Sequence, residues 1–349
     1  MQVGNADWRV MLKVNQRRTY VVIGLFLLIY LGLGFLIDIL RVMSLYANAD
    51  QTPITISQAF YYLTSGHAFP YATITAGAAA IIGLWITYAI YDKLMLLGTD
   101  YHEITPQSTD FAEKQLYNVV EEMKVAAGLH FMPKVYIIEA DYMNAFASGY
   151  SEKSAMVAIT RGLMQKLNRA ELQAVMAHEL SHIRHQDIKL TLTASILSNL
   201  ILIVLDIMFY KIMFTGNSNG NGRNNQQQAL FFLIIVLRYI MPLITILLMM
   251  YLSRTREYMA DSGCVELMRD NQPLANALLK IHQDHLTHLP QQAAEYGATA
   301  HEQIRRAAYL YDPHYAGINP SHDFSVLFST HPPLKDRLAA LGVKFSEGN

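Results

Sequence analysis

The sequence predicts an α+β integral membrane protein, with about four transmembrane helices joined to a mostly helical domain that contains a small β-sheet. Three observations carry this. Four long stretches hold almost no charge; the segments between them alternate capped helical patterns with short β-rich runs; and one of those helices bears His178-Glu179-Leu180-Ser181-His182. Hydrophobic residues make up 52% of the chain and charged residues 16%, a balance suited to partial solvation by lipid. A net charge of -1 gives no electrostatic basis for binding nucleic acid. Cys264 is the single cysteine, which excludes an intrachain disulfide and any cysteine-built metal site.

The first span is residues 19–37, uncharged between Arg18 and Asp38 and long enough to cross a bilayer. The second is residues 71–91. The third runs from Leu190 to about Phe214 and contains Asp206; the fourth runs from Ala229 to Leu252 and contains Arg238 and Pro242. Asp206 and Arg238 stand at similar distances from the cytoplasmic ends of their spans, so they either pair or snorkel outward. The organisation expected is 1–98 for the leading segment and two spans, 99–188 for the first part of the catalytic domain, 189–252 for the second pair of spans, and 253–349 for the second part. The Gly-, Asn- and Gln-rich residues 216–228 read as a flexible loop. Ala47-Asn48-Ala49 resembles a signal cleavage site, but it lies ten residues beyond a run too long for a signal peptide, so the span reads as uncleaved. Arg9, Lys13, Arg17 and Arg18 precede span one, whereas the loop of residues 38–70 has only Arg41. Both termini and both catalytic segments are therefore expected in the cytoplasm.

Within those segments, Asp110 to Glu113 has capping-box spacing and opens a helix that closes at Gly128. Val135 to Ile138 and Ala155 to Thr160 read as strands. Asn144 to Gly149 lies between them, either an ordinary hairpin or a strand to which substrate adds. Asn168 to Glu171 repeats the capping signature ahead of the helix that carries the His motif.

Histidines four residues apart share a helix face, so His178 and His182 can grip one zinc ion with Glu179 beside the open position. Catalytic zinc takes three protein ligands and a water. The best third ligand is Glu257, just after span four. A hairpin of spans three and four returns it to the membrane side of the motif. Asp261, a turn further on, either orients a ligand histidine or pairs with a nearby arginine. His185 points partly away from the metal, and His282, His285 and His288 read as decoration of a solvated helix or loop. Zinc acidifies a water molecule, and Glu179 is placed to take its proton and pass it to a leaving amine.

Four ordered segments resemble the HtpX family of membrane zinc metalloproteases, relatives of the type I CAAX prenyl proteases. They are Asn144-Ala-Phe-Ala147, Ala177 to Ile183, Ser253-Arg-x-x-Glu257-x-x-Ala-Asp261, and Thr330-His-Pro-Pro333 with Arg337. The resemblance implies a gluzincin-like domain in a bacterial inner membrane. It further implies His178, His182 and Glu257 as ligands of one Zn2+, and Glu179 as base. Asn144 and Ala145 would align substrate backbone, and His331 and Arg337 would serve as oxyanion or substrate contacts. Its implied work is quality control, cleaving misfolded membrane proteins or unfolded polypeptides alongside other membrane proteases. The sequence departs from the family at His185, where Asn is usual. A CAAX-type processing protease, a zinc-stabilised scaffold and a transporter are the rival readings.

Overall fold

The computed structural model describes residues 8–50, 54–215, 225–298, 310 and 331–343, and they form helices around one small sheet. In chain order the elements are α1 (Trp8–Asp50), α2 (Ile56–Thr64), α3 (Tyr71–Leu96), β1 (Tyr101–Ile104), α4 (Phe111–Ala127), β2 (Lys134–Ile138), β3 (Ala145–Ser148), β4 (Met156–Thr160), α5 (Arg161–Lys166), α6 (Arg169–His185), α7 (Asp187–Thr215), α8 (Asn225–Met268), α9 (Gln272–Ala298) and α10 (Leu334–Ala340). They fall into two compact units. One comprises the described residues within 1–18, 89–191 and 249–349; the other comprises Thr19–Tyr88 and Leu192–Leu248.

In the first unit the sheet is mixed, with strand order β1-β2-β4-β3. β2 and β4 run parallel, and β1 and β3 are antiparallel additions on either side. β3 is therefore an edge strand. The expected caps form. Asp110 accepts from the amides of Ala112 and Glu113, and Gly128 closes α4 with φ 70°, a left-handed conformation that glycine adopts without a Cβ penalty. The Asn168–Glu171 capping box is complete in both directions. Helix α6 is buried almost all round from Leu172 to His185, packed by α4, β3 and α9. It is an internal helix, not the one-sided amphipath its apolar stripe suggests.

The second unit holds the long apolar helices. Among the described residues one segment, Gln16–Tyr46, is long and apolar enough to cross a membrane; Tyr71–Ile86 and Phe232–Ile244 are shorter apolar stretches. The sequence expectation of four spans thus stands on one clear candidate. The loop expected at residues 38–70 is instead largely helical: α1 continues to Asp50 and α2 follows. Of the expected flexible loop 216–228, residues 225–228 already belong to α8, and 216–224 lie outside the described residues.

Asp38 explains how an acid sits buried here. Its carboxylate accepts from the Ala72 and Thr73 amides at 3.0 and 2.8 Å and from the Thr73 hydroxyl at 2.9 Å, capping the first turn of α3. The helices touch backbone to backbone at this level, since a Cβ on Gly34 would lie 2.5 Å from Thr73 Cα. Asp206 and Arg238 pair at 2.7 Å, and the guanidinium lies 4.1 Å from the Phe209 ring centroid.

Asp38→Ala leaves those amides unpaired, a cost of about 1–3 kcal/mol. A lower thermal unfolding midpoint of the detergent-solubilised protein is expected; an unchanged midpoint would remove the capping role.

Candidate active site

The site lies wholly in the first unit, where α6 crosses the end of α8. The i, i+4 spacing on α6 brings His178 Nε2 and His182 Nε2 to 3.2 Å. Glu257, on α8, places Oε2 3.6 Å from His178 Nε2 and Oε1 3.7 Å from His182 Nε2. The three residues are buried, and one ligand atom from each falls within 4.8 Å of the others.

Each imidazole is turned by a carboxylate on its far nitrogen. Asp261 Oδ1 stands 3.0 Å from His178 Nδ1, and Asp187 Oδ2 stands 3.0 Å from His182 Nδ1. Both Nε2 atoms consequently face the same point. Asp261 is itself fixed by Arg337, whose Nε and Nη2 donate to its two oxygens at 3.0 and 2.7 Å. Burial alone would raise the Asp261 and Glu257 carboxyls. The Arg337 guanidinium holds Asp261 below its usual range, and His331 with the ligand imidazoles holds Glu257 well below its own.

Glu179 is the exception. Neither of its buried oxygens makes a well-formed hydrogen bond among the described residues, and the Ala147 amide leans on it only weakly. Burial therefore lifts its carboxyl above the usual range. A buried unpaired carboxylate costs stability and marks a group kept for chemistry.

Asn144 and Ala145 lie at the start of β3, against α6. Thr160 on β4 donates its amide to the Asn144 carbonyl, so ladder alternation turns the backbones of Ala145 and Ala147 away from β4, onto the outer edge of the strand, all four residues of which are buried. Asn144 Oδ1 accepts from the Ala145 amide at 3.0 Å, and the Ala145 carbonyl accepts from the Leu310 amide at 2.9 Å. The Leu310 carbonyl in turn accepts from Arg337 Nη1 at 2.8 Å.

His331 stands beside the cluster, its Nε2 3.8 Å from Glu257 Oε1. Arg337 lies against the cluster as well, its Nη1 3.9 Å from Glu257 Oε2. It is buried, its fork is spent on Asp261, and it acts behind His178. His185 is buried outside the ligand group, and His285 is buried on α9 rather than solvated. Cys264 packs in the α6–α8 contact, its thiol donating to the Ala174 carbonyl. Sequence reasoning missed two residues. Asp187, five positions past His182, reads as the last polar residue before an apolar run. Leu310 carries no sequence signal, because it acts through its backbone.

Two internal histidines and a distal glutamate around a buried, unpaired glutamate define a metal-dependent peptidase. The comparisons agree: the model of peptidase family M48 matches residues 111–343, and the chain belongs to that family, among its HtpX-type members. A "Protease HtpX homolog" of Helicobacter pylori (strain Shi470) is 38% identical over 328 residues, covering 94% of this chain and 95% of that protein. A protein of the same description from Thermoanaerobacter pseudethanolicus is 32% identical over 329 residues, 94% of each chain. The crystal structure of S. mikatae Ste24p shares the fold at a TM-score of 0.51 and 18% identity, matching 82% of this chain and 64% of its own length.

Two predictions follow from this geometry. A Cβ on Gly263 would lie 2.5 Å from Ser181 Oγ and 2.8 Å from its Cβ, so α8 meets α6 only because residue 263 is glycine. Gly263→Ala is expected to cost about 1–3 kcal/mol and to weaken metal retention by displacing Glu257, with partial rescue by Ser181→Gly. Unchanged metal retention in Gly263→Ala would contradict this. The second concerns pH. Burial pushes the His178 pKa down, but Asp261 and Glu257 outweigh burial and raise it from 6.5 to about 9 in the metal-free protein. The bound proton stabilises the metal-free fold below pH 6.5, and that contribution disappears as pH climbs through about 9. Metal must displace the proton, so affinity should increase with pH up to about 9. Calorimetric titration in buffers of different ionisation enthalpy should register proton release at neutral pH; binding without proton release would refute it.

Proposed function

We propose that this metallopeptidase is a zinc endopeptidase of the bacterial cytoplasmic membrane that hydrolyses peptide bonds in misfolded membrane proteins and unfolded polypeptides. The observation that carries the reading is the convergence of the three residues: the two Nε2 atoms are 3.2 Å apart, one Glu257 oxygen stands 3.6 Å from the first and the other oxygen 3.7 Å from the second, and one ligand atom from each residue lies within 4.8 Å of the others. Neighbouring ligands on a tetrahedral zinc at about 2.0–2.1 Å stand roughly 3.4 Å apart. The donor set of two neutral imidazoles and one carboxylate is also that of catalytic zinc, which leaves a fourth position for water.

When bound, zinc supplies a Lewis acid that lowers the pKa of water and polarises a carbonyl. The rest belongs to the chain. Glu179, raised by burial and held only weakly by the Ala147 amide, takes the proton of the attacking water and delivers it to the leaving amine. His331, close to Glu257, supplies a donor on the metal's flank for the developing oxyanion. The edge of β3 that faces away from β4 orients the substrate as an added strand through the backbones of Ala145 and Ala147, in the place that Leu310 takes in this structure. That this edge accepts a peptide amide is supported by Leu310, which already donates to Ala145. A structural zinc would have no use for the unpaired Glu179, so the scaffold reading is disfavoured.

Membrane residence is supported by the Gln16–Tyr46 helix and by the exposed apolar side chains of the second unit, including Leu25, Leu28, Ile81 and Trp85. The four-span arrangement with a cytoplasmic site is supported by the four long runs of very low charge and by the basic residues ahead of the first.

Glu179→Gln preserves shape and ligands. It is expected to retain one zinc per chain while losing cleavage of an unfolded substrate such as casein by at least about a hundredfold. Near-normal cleavage in that variant would exclude Glu179 as the base. Loss of zinc would show that Glu179 has a structural role.

A further inference from the structure

The connection between α1 and α3 is more than a link. No Asp, Glu, Lys or Arg occurs between Asp50 and Asp92, so the connection is as free of formal charge as α3 is up to Tyr91, unlike an ordinary solvated loop. Helix α2 folds back on α1 with its own small core, burying Ala59 and Leu63 against Ile39, Val42 and Met43.

Ring contacts fix its depth. Asp38 ends the first uncharged run and caps α3, so it marks a common level on both helices. Phe35 lies about 4.5 Å inside that level along α1, and Phe60 of α2 packs edge-on against it at 5.6 Å. Tyr46 lies about 12 Å to the other side, and Tyr62 stacks on it at 4.8 Å. Helix α2 thus straddles the level at which the charge-free core of α1 ends.

The exposed side chains here are aromatic. Phe60, Tyr61, Phe69 and Tyr71 are 52%, 60%, 55% and 56% exposed. They continue the exposed apolar surface of α1 and α3, represented by Leu31 and Ile74 a turn or so inward. Arg41 fastens the turn that carries two of them, donating to the Phe69 carbonyl at 2.8 Å and lying 4.8 Å from the Tyr71 ring centroid. Away from the rings, the start of α2 presents Ser57 and Gln58 beside its capping residue Thr55. Rings at the end of a span, with hydroxyls and a cation among them and polar groups beyond, suit the boundary between acyl chains and headgroups.

We propose that α2 and the Phe69–Tyr71 turn form an interfacial anchor that lies in the headgroup–acyl boundary of the leaflet where α1 emerges, with lipid as its partner. The inference rests on the reading that α1 and α3 cross a bilayer. The anchor sets the depth of those helices by aromatic burial, without recruiting anionic lipid, since α2 carries no basic residue.

The test uses full-length chain in zwitterionic phosphatidylcholine vesicles. In a Trp8→Phe, Trp85→Phe background, Tyr61→Trp reports from α2; Phe69→Trp replaces it if that variant does not fold. Lipids brominated near the headgroup should quench this tryptophan several-fold more strongly than lipids brominated near the chain ends, and acrylamide should quench it weakly. Strong acrylamide quenching without lipid quenching would overturn the proposal in favour of a water-facing surface. Protection from both quenchers would overturn it in favour of a protein partner. Native Trp85, on α3 and 70% exposed, is the internal control in a Trp8→Phe background. Deep bromolipid should quench it. If it does not, the membrane reading itself has failed, and the anchor with it.

Discussion

Two carboxylates behind two imidazoles hold this site together. A histidine can present either ring nitrogen, and nothing in the His178–His182 spacing alone decides which. Asp261 on one ring and Asp187 on the other take the Nδ1 atoms, so both Nε2 atoms turn toward Glu257. Without them the histidines would still share a helix face but not a focus. Arg337 extends the arrangement by a further layer, gripping Asp261 with two donors and the Leu310 carbonyl with a third.

This layering ties distant parts of the chain to one point. α6 supplies two ligands and the base, α8 the third ligand and one orienting carboxylate, the start of α7 the other carboxylate, and α10 the arginine. Ion pairs from α6 to its neighbours, Arg169–Glu122, Lys280–Glu171 and Arg184–Glu266, ring the crossing at its edges. Such pairs contribute little individually. Geometry is set instead by close packing, above all where Gly263 lets α8 lie against Ser181. Asp261 and Asp187 are engaged through both oxygens and Glu257 through Oε1, whereas neither oxygen of Glu179 makes a well-formed hydrogen bond among the described residues, which leaves Glu179 placed to move a proton.

What the sequence revealed, and what it concealed, follows from the range of each interaction. The His motif, the Asn168 cap and the Gly128 stop are local, and local spacing is enough to read them. Glu257 was legible because two apolar runs bracket the distance between it and the motif. Asp187 was not, since an acid at the start of an apolar helix looks like an ordinary boundary residue. The pairing of Arg337 with Asp261 was hidden for a related reason: sequence places Arg337 near the site but does not show which side chain its fork grips. Leu310 acts through peptide groups that every residue possesses. Helix α2 was not legible because residues 38–70 read only as a connection with one basic residue, Arg41, a feature that orients the chain but says nothing of its conformation.

X-ray absorption at the zinc edge, on the purified full-length protein, tests the central claim most directly. Two imidazole nitrogens and carboxylate or water oxygens at about 2.0–2.1 Å are predicted, with the imidazole contribution preserved and metal occupancy reduced in Glu257→Ala. A sulfur contribution, or an absorption spectrum and occupancy unchanged in Glu257→Ala, would contradict the account.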